Sequence, residues 1–410
     1  MFFRCFALWL VLVSAACAPG EQLIEALDPL ESPSGEGSRW PGLSSDADGV
    51  VLSWLEPGAD DRWSFKVSRL LEDGWGPAHT VASEADRSFF VNWADFPSVW
   101  STKQDALAAH WLVRGPEGGY DYGIRMAFSE DDGATWSEPW TPHEDGTPTE
   151  HGFVSMFPVA DGSVGLTWLD GRNFAGASAG HDANAEMTLR YRAASPHAAP
   201  GPEVLLDDRI CDCCQTDAAV TSRGPVVVYR DRTDEEVRDI YLTRMGGDGW
   251  TEGHAVHDDG WVFPACPVNG PAVDAAGDEV VVAWFTGANQ QPAVNVAFSD
   301  DAGDSFDAPV RIDGGNPLGR VDVLLLRDGA AFVSWIERSG RAAEIRTIRV
   351  ESDGTLSQPT TVTETSAGRD SGFPRMIEDA KGRIVFAWTE PGELTRIRVA
   401  RSGNQGDGAK

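Results

Sequence analysis

The feature that most constrains the fold of this chain is a short apolar segment that ends in an aromatic residue and occurs seven times. An apolar segment and a polar turn precede the copies, and a segment of alternating polar and apolar residues follows them. Alternation with a period of two is typical of β-strands. The aromatic residues are Trp54, Trp111, Trp168, Tyr229, Trp284, Trp335 and Trp388. Four strands in about 50 residues form a unit the size of a propeller blade.

The repeat predicts an all-β chain that forms a single β-propeller of four-stranded antiparallel blades. Seven copies indicate seven blades, with six as the alternative count. The last copy, residues 373–401, has three clear strands. We expect the segment Glu21–Leu30 to add its fourth strand, which would close the ring and remove an open sheet edge. A stack of β-sandwiches is the alternative fold, but its spacing would be less uniform.

The N-terminus has the layout of a secretory signal peptide, with Arg4, an apolar run and small residues before Cys17. A cysteine directly after Ser-Ala-Ala resembles the lipobox of bacterial lipoproteins, which implies cleavage before Cys17 and lipid attachment there. Ordinary cleavage with an incidental cysteine is the alternative. The apolar run is shorter than the roughly 20 residues that span a bilayer, so we expect membrane contact through a lipid anchor alone.

This interpretation places the protein in the cell envelope, on the outer membrane, as a monomer. The predicted boundaries are a signal peptide over 1–17, a tether with the ring-closing strand over 18–38, the propeller over 39–403 and a disordered tail over 404–410.

The charge of the chain excludes one class of partner. There are 64 acidic residues against 33 Lys and Arg, which gives a formal net charge of −31. A surface this negative repels phosphate backbones, so we expect no nucleic-acid partner.

Two turns carry a family resemblance. The segments Ser129–Trp136 and Ser299–Phe306 follow the pattern S-x-D-x-G-x-T-W, the second with conservative endings. This is the Asp-box, and on it the chain resembles the sialidase-like (BNR-repeat) propellers, in which the turn joins the third and fourth strands of a blade. The Asp caps backbone N–H groups and the Gly takes a positive φ. We therefore expect Asp131 and Asp301 to be structural.

The chemically unusual segments are predicted to share one face of the ring. In a meandering blade, the loops between strands 2 and 3 and the blade-to-blade connections lie on the face opposite the Asp-boxes. Loops above a rigid ring are where binding and catalytic residues concentrate. We expect the site off-centre, over blades 2 to 5, with Arg320 and Arg369 as the additions from blades 6 and 7.

The sialidase resemblance implies an anionic sugar held by converging arginines, a tyrosine nucleophile paired with a Glu, and an Asp acid/base. The candidate catalytic residues are Asp145, Glu150, His151, Asp170 and Asp231. The candidate substrate-binding residues are Arg172, Arg230, Arg232, Arg238, Trp93 and Tyr122. Arginine is suited to this role because its planar donors match carboxylate or phosphate.

Two features of these candidates leave alternatives open. No segment shows the Tyr–Glu pairing of sialidases, and Tyr120 and Tyr122 are the tyrosines that we expect to be exposed. The carboxylates and arginines could instead cap their own loops or form ion pairs between blades.

Four cysteines lie on two neighbouring connections of the same face, at Cys211, Cys213, Cys214 and Cys266. An oxidising compartment favours disulfides, and C-x-C-C lacks the spacing of zinc knuckles. Of the three pairings we favour Cys266 with one cysteine of the first group and the remaining two with each other, an adjacent Cys213–Cys214 bond being one option.

No firm cofactor is predicted, but two metal sites are alternatives. The cysteines could hold a soft ion such as copper, together with His151 or His257. A Ca²⁺ or zinc ion could bind at His143, Asp145, Glu150 and His151.

These observations predict a sialidase-like exo-glycosidase, a hydrolase acting on an anionic or complex glycan. The alternatives are a propeller that binds a glycan or partner without turnover and a metal-binding protein that uses the Cys and His loops. Two carboxyl groups about 5–9 Å apart across a pocket would support hydrolysis. Carboxylates that all pair with arginines would support binding or a structural role.

Overall fold

The computed structural model of the chain describes residues 27–59, 62–85, 88–102, 106–159, 161–176 and 185–403. The predicted signal peptide, the lipidation site Cys17 and the tail 404–410 therefore lie outside the described residues. Within the described ranges no helix is long and apolar enough to cross a membrane. Helical structure there consists of three 3-10 turns, Arg172–Phe174, Ala288–Gln290 and Arg369–Ser371.

The strands form seven antiparallel sheets. Blade 1 contains Arg39–Asp46, Gly49–Pro57, Arg62–Leu71 and His79–Ala85, with Gly74–Trp75 beside the third strand. Blade 2 contains Ser98–Ser101, Leu107–Arg114 and Tyr122–Ser129, and a single bridge between Met126 and Trp140 takes the fourth place. Blade 3 contains His151–Pro158, Val164–Asp170, Met187–Ala194 and Val204–Ile210.

The remaining blades repeat this order. Blade 4 contains Asp217–Thr221, Gly224–Arg230, Ile240–Gly246 and His254–His257, with Gly249–Trp250 beside the third strand. Blade 5 contains Ala272–Ala276, Glu279–Thr286, Ala293–Ser299 and Val310–Arg311. Blade 6 contains Pro317–Leu325, Ala331–Ser339, Ala342–Val350 and Thr360–Thr365. Blade 7 contains Arg375–Glu378, Ile384–Glu390, Arg396–Ser402 and the N-terminal strand Leu27–Leu30.

The ring is closed by its two chain ends. Leu27–Leu30 pairs antiparallel with Arg396–Ser402, with Leu30 opposite Val399. This strand covers the outer edge of blade 7, which would otherwise present unpaired backbone groups. The prediction of an all-β propeller with seven four-stranded blades is confirmed.

The repeated aromatic residue has a repeated polar partner. The indole N–H donates to the acid two residues later in blades 1, 3 and 6: Trp54 to Glu56 (2.9 Å), Trp168 to Asp170 (2.8 Å) and Trp335 to Glu337 (2.9 Å). A cation from the third strand lies beside each acid: Lys66 at 2.8 Å, Arg190 at 3.8 Å and Arg346 at 3.5 Å. The acids satisfy buried indole donors, which would be costly to leave unpaired.

The first strands of the blades lie innermost and contact each other around the central channel. Three of their aspartates accept a backbone N–H from the next blade: Asp217 from Val273 (2.9 Å), Asp274 from Leu325 (2.8 Å) and Asp322 from Met376 (2.6 Å). These bonds join neighbouring blades at the channel wall.

The Asp-box turns lie on the opposite face from the long connections. Asp131 accepts the backbone N–H (2.8 Å) and hydroxyl (2.7 Å) of Thr135, and Asp301 accepts the same groups of Ser305 at 2.9 and 2.6 Å. Both carboxylates are occupied within their own turns.

Candidate functional site

The connections that enter the blades converge at one mouth of the channel, because each leads into an innermost strand. Glu150 precedes the first strand of blade 3, and its backbone bridges to Tyr122 of blade 2 and accepts the N–H of Gly171 (2.9 Å). Burial, followed by the charges of Asp212 and Asp95, raises the pKa of Glu150 to about 8. Glu150 is therefore largely protonated at neutral pH.

A buried hydrogen-bonded pair lies beside Glu150. The hydroxyl of Tyr122 donates to Asp95 (2.8 Å), whose other oxygen accepts the backbone N–H of Phe153 (2.8 Å). Tyr122 is 2% exposed, so the expectation that it is exposed was wrong. Burial raises the pKa of Asp95 to about 7. Gly152 makes the contact feasible, because a Cβ there would lie 1.9 Å from an Asp95 oxygen.

Asp145, His143 and His151 form a second cluster. The Nε2 of His151 lies 3.0 Å from Asp145 Oδ1 and its Nδ1 lies 3.0 Å from the carbonyl oxygen of Thr149. Both ring nitrogens therefore face acceptors, which favours the doubly protonated imidazolium. Hydrogen bonding and the charges of Asp145 and Asp170 outweigh burial and raise the pKa of His151.

His143 is held in the other protonation state. Its Nε2 accepts the backbone N–H of Ile124 (3.3 Å), and its Nδ1 lies 3.5 Å from Asp145. Burial lowers the pKa of His143. The pair is thus a neutral imidazole stacked on an imidazolium, with the ring centroids of His143 and His151 3.8 Å apart.

The ring geometry argues against a metal ion at this cluster. One nitrogen from each histidine and an oxygen of Asp145 lie within 4.8 Å of one another, which is close enough for shared ligation. The two rings, however, are stacked with an interplanar angle of 6°, and imidazole lone pairs lie in the ring plane. Parallel stacked rings cannot both direct lone pairs at one ion. The geometry of the cluster therefore favours hydrogen-bonded imidazoles over a bound metal ion.

Asp170 and Arg172 form a bidentate ion pair. Nε and Nη2 of Arg172 each lie 2.7 Å from an Asp170 oxygen, and Nη2 also contacts Glu203 at 2.8 Å. Asp170 is fully buried and also binds the Trp168 indole, as the equivalent acids of other blades do. This geometry indicates a structural role for both predicted site residues.

The arginines of blade 4 are also engaged. Arg230 donates to the carbonyl oxygens of Asn269, Arg238 and Phe285 at 2.9, 2.5 and 2.6 Å. Arg232 and Arg238 both bind Glu236, at 2.8 and 2.7 Å. Burial lowers the pKa of Arg230 to about 9. These side chains stabilise the loops of blade 4, and Arg238 keeps two buried donors without a partner in the described residues.

Asp231 lies on a shallow cleft of about 400 Å³ between blades 3 and 4, lined by Glu186, Asp207, Asp208, Arg209, Asp231, Arg232 and Asp234. Burial and the charge of Asp207 raise the pKa of Asp231 to about 7. Of the predicted catalytic carboxyl groups, Glu150 and Asp231 are those without an arginine or histidine ion pair among the described residues.

Two arginines from blades 6 and 7 reach across the channel mouth. Arg320 and Arg369 lie over the ring of Trp93, 4.9 and 5.5 Å from its centroid. Neither has a carboxylate within ion-pair distance in the described part of the chain, and Arg320 donates to Ser371 and Gly372 instead. Burial lowers the pKa of Arg320 to about 10, and its φ of 57° is in the left-handed region.

The cysteines form two disulfides, Cys211–Cys214 and Cys213–Cys266. The favoured arrangement, with Cys266 bonded to the first group, is confirmed, and the adjacent Cys213–Cys214 option was wrong. All four sulfurs are used, which leaves no thiolate there for a soft metal ion.

The structure brings Asp145, Glu150, His151, Asp170 and Arg172 together, and it places Asp231 on the adjoining cleft. Two residues that sequence reasoning did not select are Asp95, the partner of Tyr122, and Asp212, which lies beside Glu150. Asp212 carried a signal, since it is the acid enclosed by the cysteine motif.

The chain matches no family model and none of the curated proteins. Among solved structures, it is similar to a polysaccharide lyase, an ulvan lyase, at 11% identity over 94% of this chain and 96% of that one, with a TM-score of 0.59. An α-L-arabinanase of Penicillium chrysogenum aligns at 13% identity over 78% and 95% of the chains, with a TM-score of 0.47. A neuraminidase-like protein of A/little yellow-shouldered bat aligns at 11% over 92% and 98%, with a TM-score of 0.46. The likeness to the ulvan lyase establishes the fold.

Proposed function

We propose that this protein is a glycan-cleaving enzyme of the cell envelope, anchored through a lipid on Cys17, that acts on an anionic polysaccharide at the channel mouth. One juxtaposition carries the proposal: Arg320 and Arg369, which form no ion pair among the described residues although the charge of Asp370 acts on Arg320, share the channel mouth with the carboxyl group of Glu150, whose pKa is raised. The connection into blade 2 contacts both groups. Its Trp93 packs against Arg320 and Arg369, and its Asp95 binds Tyr122, which lies beside Glu150.

In this proposal each group has a distinct task. Arg320 and Arg369, held over the ring of Trp93, bind a carboxylate or sulfate of the sugar. Glu150 donates a proton to the oxygen that leaves the glycosidic bond. In hydrolysis Asp231, the candidate base, takes a proton from the water whose hydroxyl group adds to the sugar, and proton exchange with solvent then returns Glu150 to its acid form and Asp231 to its carboxylate. The sialidase-like resemblance supports the same substrate class.

A second candidate is a propeller that binds the glycan without turnover. Asp145 pairs with His151, and Asp170 pairs with Arg172. These ion pairs favour binding without turnover, because the two carboxylates are then not available as catalytic acid or base. Elimination is a third outcome to distinguish, since the ulvan lyase with this fold is described as a lyase and has been solved with a saccharide of GlcA and Rha3S.

The test is a set of polysaccharides that carry uronate or sulfate groups, compared with neutral ones. We expect cleavage of an anionic member, with Glu150→Gln reducing the rate at least about 100-fold while binding is retained. Arg369→Met should weaken binding about tenfold, whereas Arg327→Met, an exposed arginine on the opposite face, should not. Ultraviolet absorbance from an unsaturated product would indicate elimination. Full activity of Glu150→Gln, or no cleavage of any anionic glycan, would overturn the proposal.

A further inference from the structure

Three innermost strands contain the same irregularity of the backbone. In blades 1, 3 and 6 the first strand shifts register against the second, and at the shift one residue other than glycine is left-handed. These residues are Trp40 (φ 55°), Phe153 (φ 53°) and Arg320 (φ 57°). Because a side chain disfavours this conformation, neighbouring groups must hold it in place.

In each case a side chain of the neighbouring blade accepts the backbone N–H of the left-handed residue. The acceptors are Thr389 for Trp40 (3.0 Å), Asp95 for Phe153 (2.8 Å) and Asn269 for Arg320 (2.9 Å). The acceptor is a hydroxyl, a carboxylate and an amide in turn, so the contact repeats although the residue type does not.

Arg320 is the exception among the three left-handed residues. Their exposed fractions are similar, at 6% for Trp40, 8% for Phe153 and 7% for Arg320, but two of the side chains are aromatic and the third is charged. Burying a guanidinium costs free energy that burying an aromatic ring does not. An arginine at this position of the repeat therefore indicates a use for its donors.

One edge of the Arg320 guanidinium donates to no described residue. Its Nη1 donates to the hydroxyl of Ser371 and to the carbonyl oxygen of Gly372 (3.3 Å), and its contact with Trp93 is through the ring face. Nε and Nη2 remain. The polar atoms that are fully buried without a partner do not include them, so both atoms reach the solvent.

This edge is the one that binds carboxylates elsewhere in the molecule. Nε and Nη2 of Arg172 each lie 2.7 Å from an oxygen of Asp170, and those of Arg311 lie 2.9 and 2.8 Å from Asp313. The two donors form a planar fork that matches two oxygens of one anion. In Arg320 the same fork is left for a ligand.

Asn269, which holds the backbone of Arg320, is itself fixed by several contacts. Its carbonyl oxygen accepts the Nε–H of Arg230 (2.9 Å), and its side-chain amide donates to the carbonyl oxygens of Pro267 (3.4 Å) and Leu318 (3.3 Å). Gly319 lies against it, since a Cβ there would be 2.3 Å from Asn269 Oδ1. The amide is thus held between the connection into blade 5 and the first strand of blade 6.

Resting on the function proposed above, we propose that Asn269 is a positioning residue for anion binding. It holds the left-handed backbone at Arg320, so that Nε and Nη2 of the guanidinium are presented at the channel mouth, and it thereby favours an anionic sugar over a neutral one. Arg230, predicted to bind substrate, then acts through Asn269 instead.

The test measures anion binding without cleavage. Glucuronate and galactose 6-sulfate are the anionic probes, and glucose and galactose are their neutral counterparts. The NMR signal of the Arg320 Nε–H group is identified as the one that Arg320→Lys removes. In the wild-type protein we expect an anionic probe to shift this signal downfield and the neutral probes to leave it in place, because the anion accepts from Nε.

Asn269→Ala removes the acceptor of the Arg320 backbone N–H, and we expect it to weaken binding of the anionic probe about tenfold. Gly319→Ala displaces the same amide oxygen from blade 6 and serves should Asn269→Ala fail to fold. Asn289→Ala is the matched control, because it changes an exposed asparagine of blade 5 and should leave the affinity unchanged. The melting temperature of each variant is measured beside its affinity.

The outcomes separate this inference from the proposed function. Wild-type affinity for the anionic probe in Asn269→Ala, with only a lower melting temperature, would overturn the role of Asn269 and leave the proposed function standing. An Arg320 signal that neither anionic probe shifts would overturn both. Weakened anion binding in Asn269→Ala, with no cleavage of any polysaccharide by the wild-type protein, would support the role of Asn269 and refute the proposed cleavage.

Discussion

At the scale of single residues, the same carboxyl group has different roles at different positions of the repeat. Asp170, Glu56 and Glu337 all accept the indole N–H of the tryptophan two residues earlier. The sequence shows this pattern, because an acid follows the repeated Trp at the same spacing in several blades. Asp170 could therefore have been recognised as structural before the structure was known. Glu150 does not lie two residues after a repeated aromatic residue, so this pattern does not account for it.

The channel aspartates make stability depend on pH. Burial, offset in part by Arg375, raises the pKa of Asp322 to about 7. The folded protein then binds a proton that the unfolded chain releases near pH 4, so the stability from this group is lost as pH rises towards 7. Between pH 5 and 8, we expect the unfolding free energy of Asp322→Asn to fall by about 2–3 kcal/mol less than that of the wild-type protein.

Denaturant unfolding across this pH range measures the effect. Asp278→Asn, which changes an exposed acid of a surface turn, should keep the wild-type slope. An Asp322→Asn protein whose stability falls with pH as steeply as that of the wild type would contradict the account of the channel wall.

Residue contacts across the ring could not be predicted from the sequence. Trp93 and Arg320 lie more than half the chain apart, and only ring closure brings them together. Tyr122 was expected at the surface because the other tyrosines, apart from Tyr120, were assigned to strands or to the repeated aromatic position. It is buried because the connection that carries Asp95 folds over it.

At the scale of elements, strands and turns were predictable because each blade repeats the same alternation and the same aromatic position. The disulfide partners were narrowed to a few choices because neighbouring connections must be adjacent in a ring. Which cysteine joined Cys266 depended on the local path of the turn, which spacing does not specify.

The closing strand is the element whose loss the ring should tolerate least. Leu27 and Leu30 pack their side chains against the clusters of blades 6, 7 and 1. We expect Leu27→Ala with Leu30→Ala to lower the unfolding free energy by about 2–4 kcal/mol and to promote self-association through the freed edge.

Calorimetry and light scattering of this double variant test the prediction. Leu71→Ala, which alters a leucine that is 48% exposed, should change the unfolding free energy by less than about 0.5 kcal/mol. A double variant as stable and as monodisperse as the wild type would show that the ring does not depend on this strand.

At the scale of the whole molecule, a chain of net charge −31 repels anionic polymers over most of its surface. On the function proposed above, the arginines at the channel mouth are the place where such a polymer gains binding energy. They are supplied by blades 6 and 7, while the acid groups come from blades 2 to 4. The complete ring is needed to assemble the two halves of the proposed site.

The most direct test of this account compares one anionic polysaccharide with its carboxyl-reduced derivative, in which each uronate is a neutral sugar of the same linkage. We expect the wild-type protein to cleave the native polymer at least about tenfold more efficiently, as judged by kcat/KM, and Arg320→Met to abolish that preference. Equal cleavage of both polymers would contradict the assignment of the channel mouth as an anionic-glycan site.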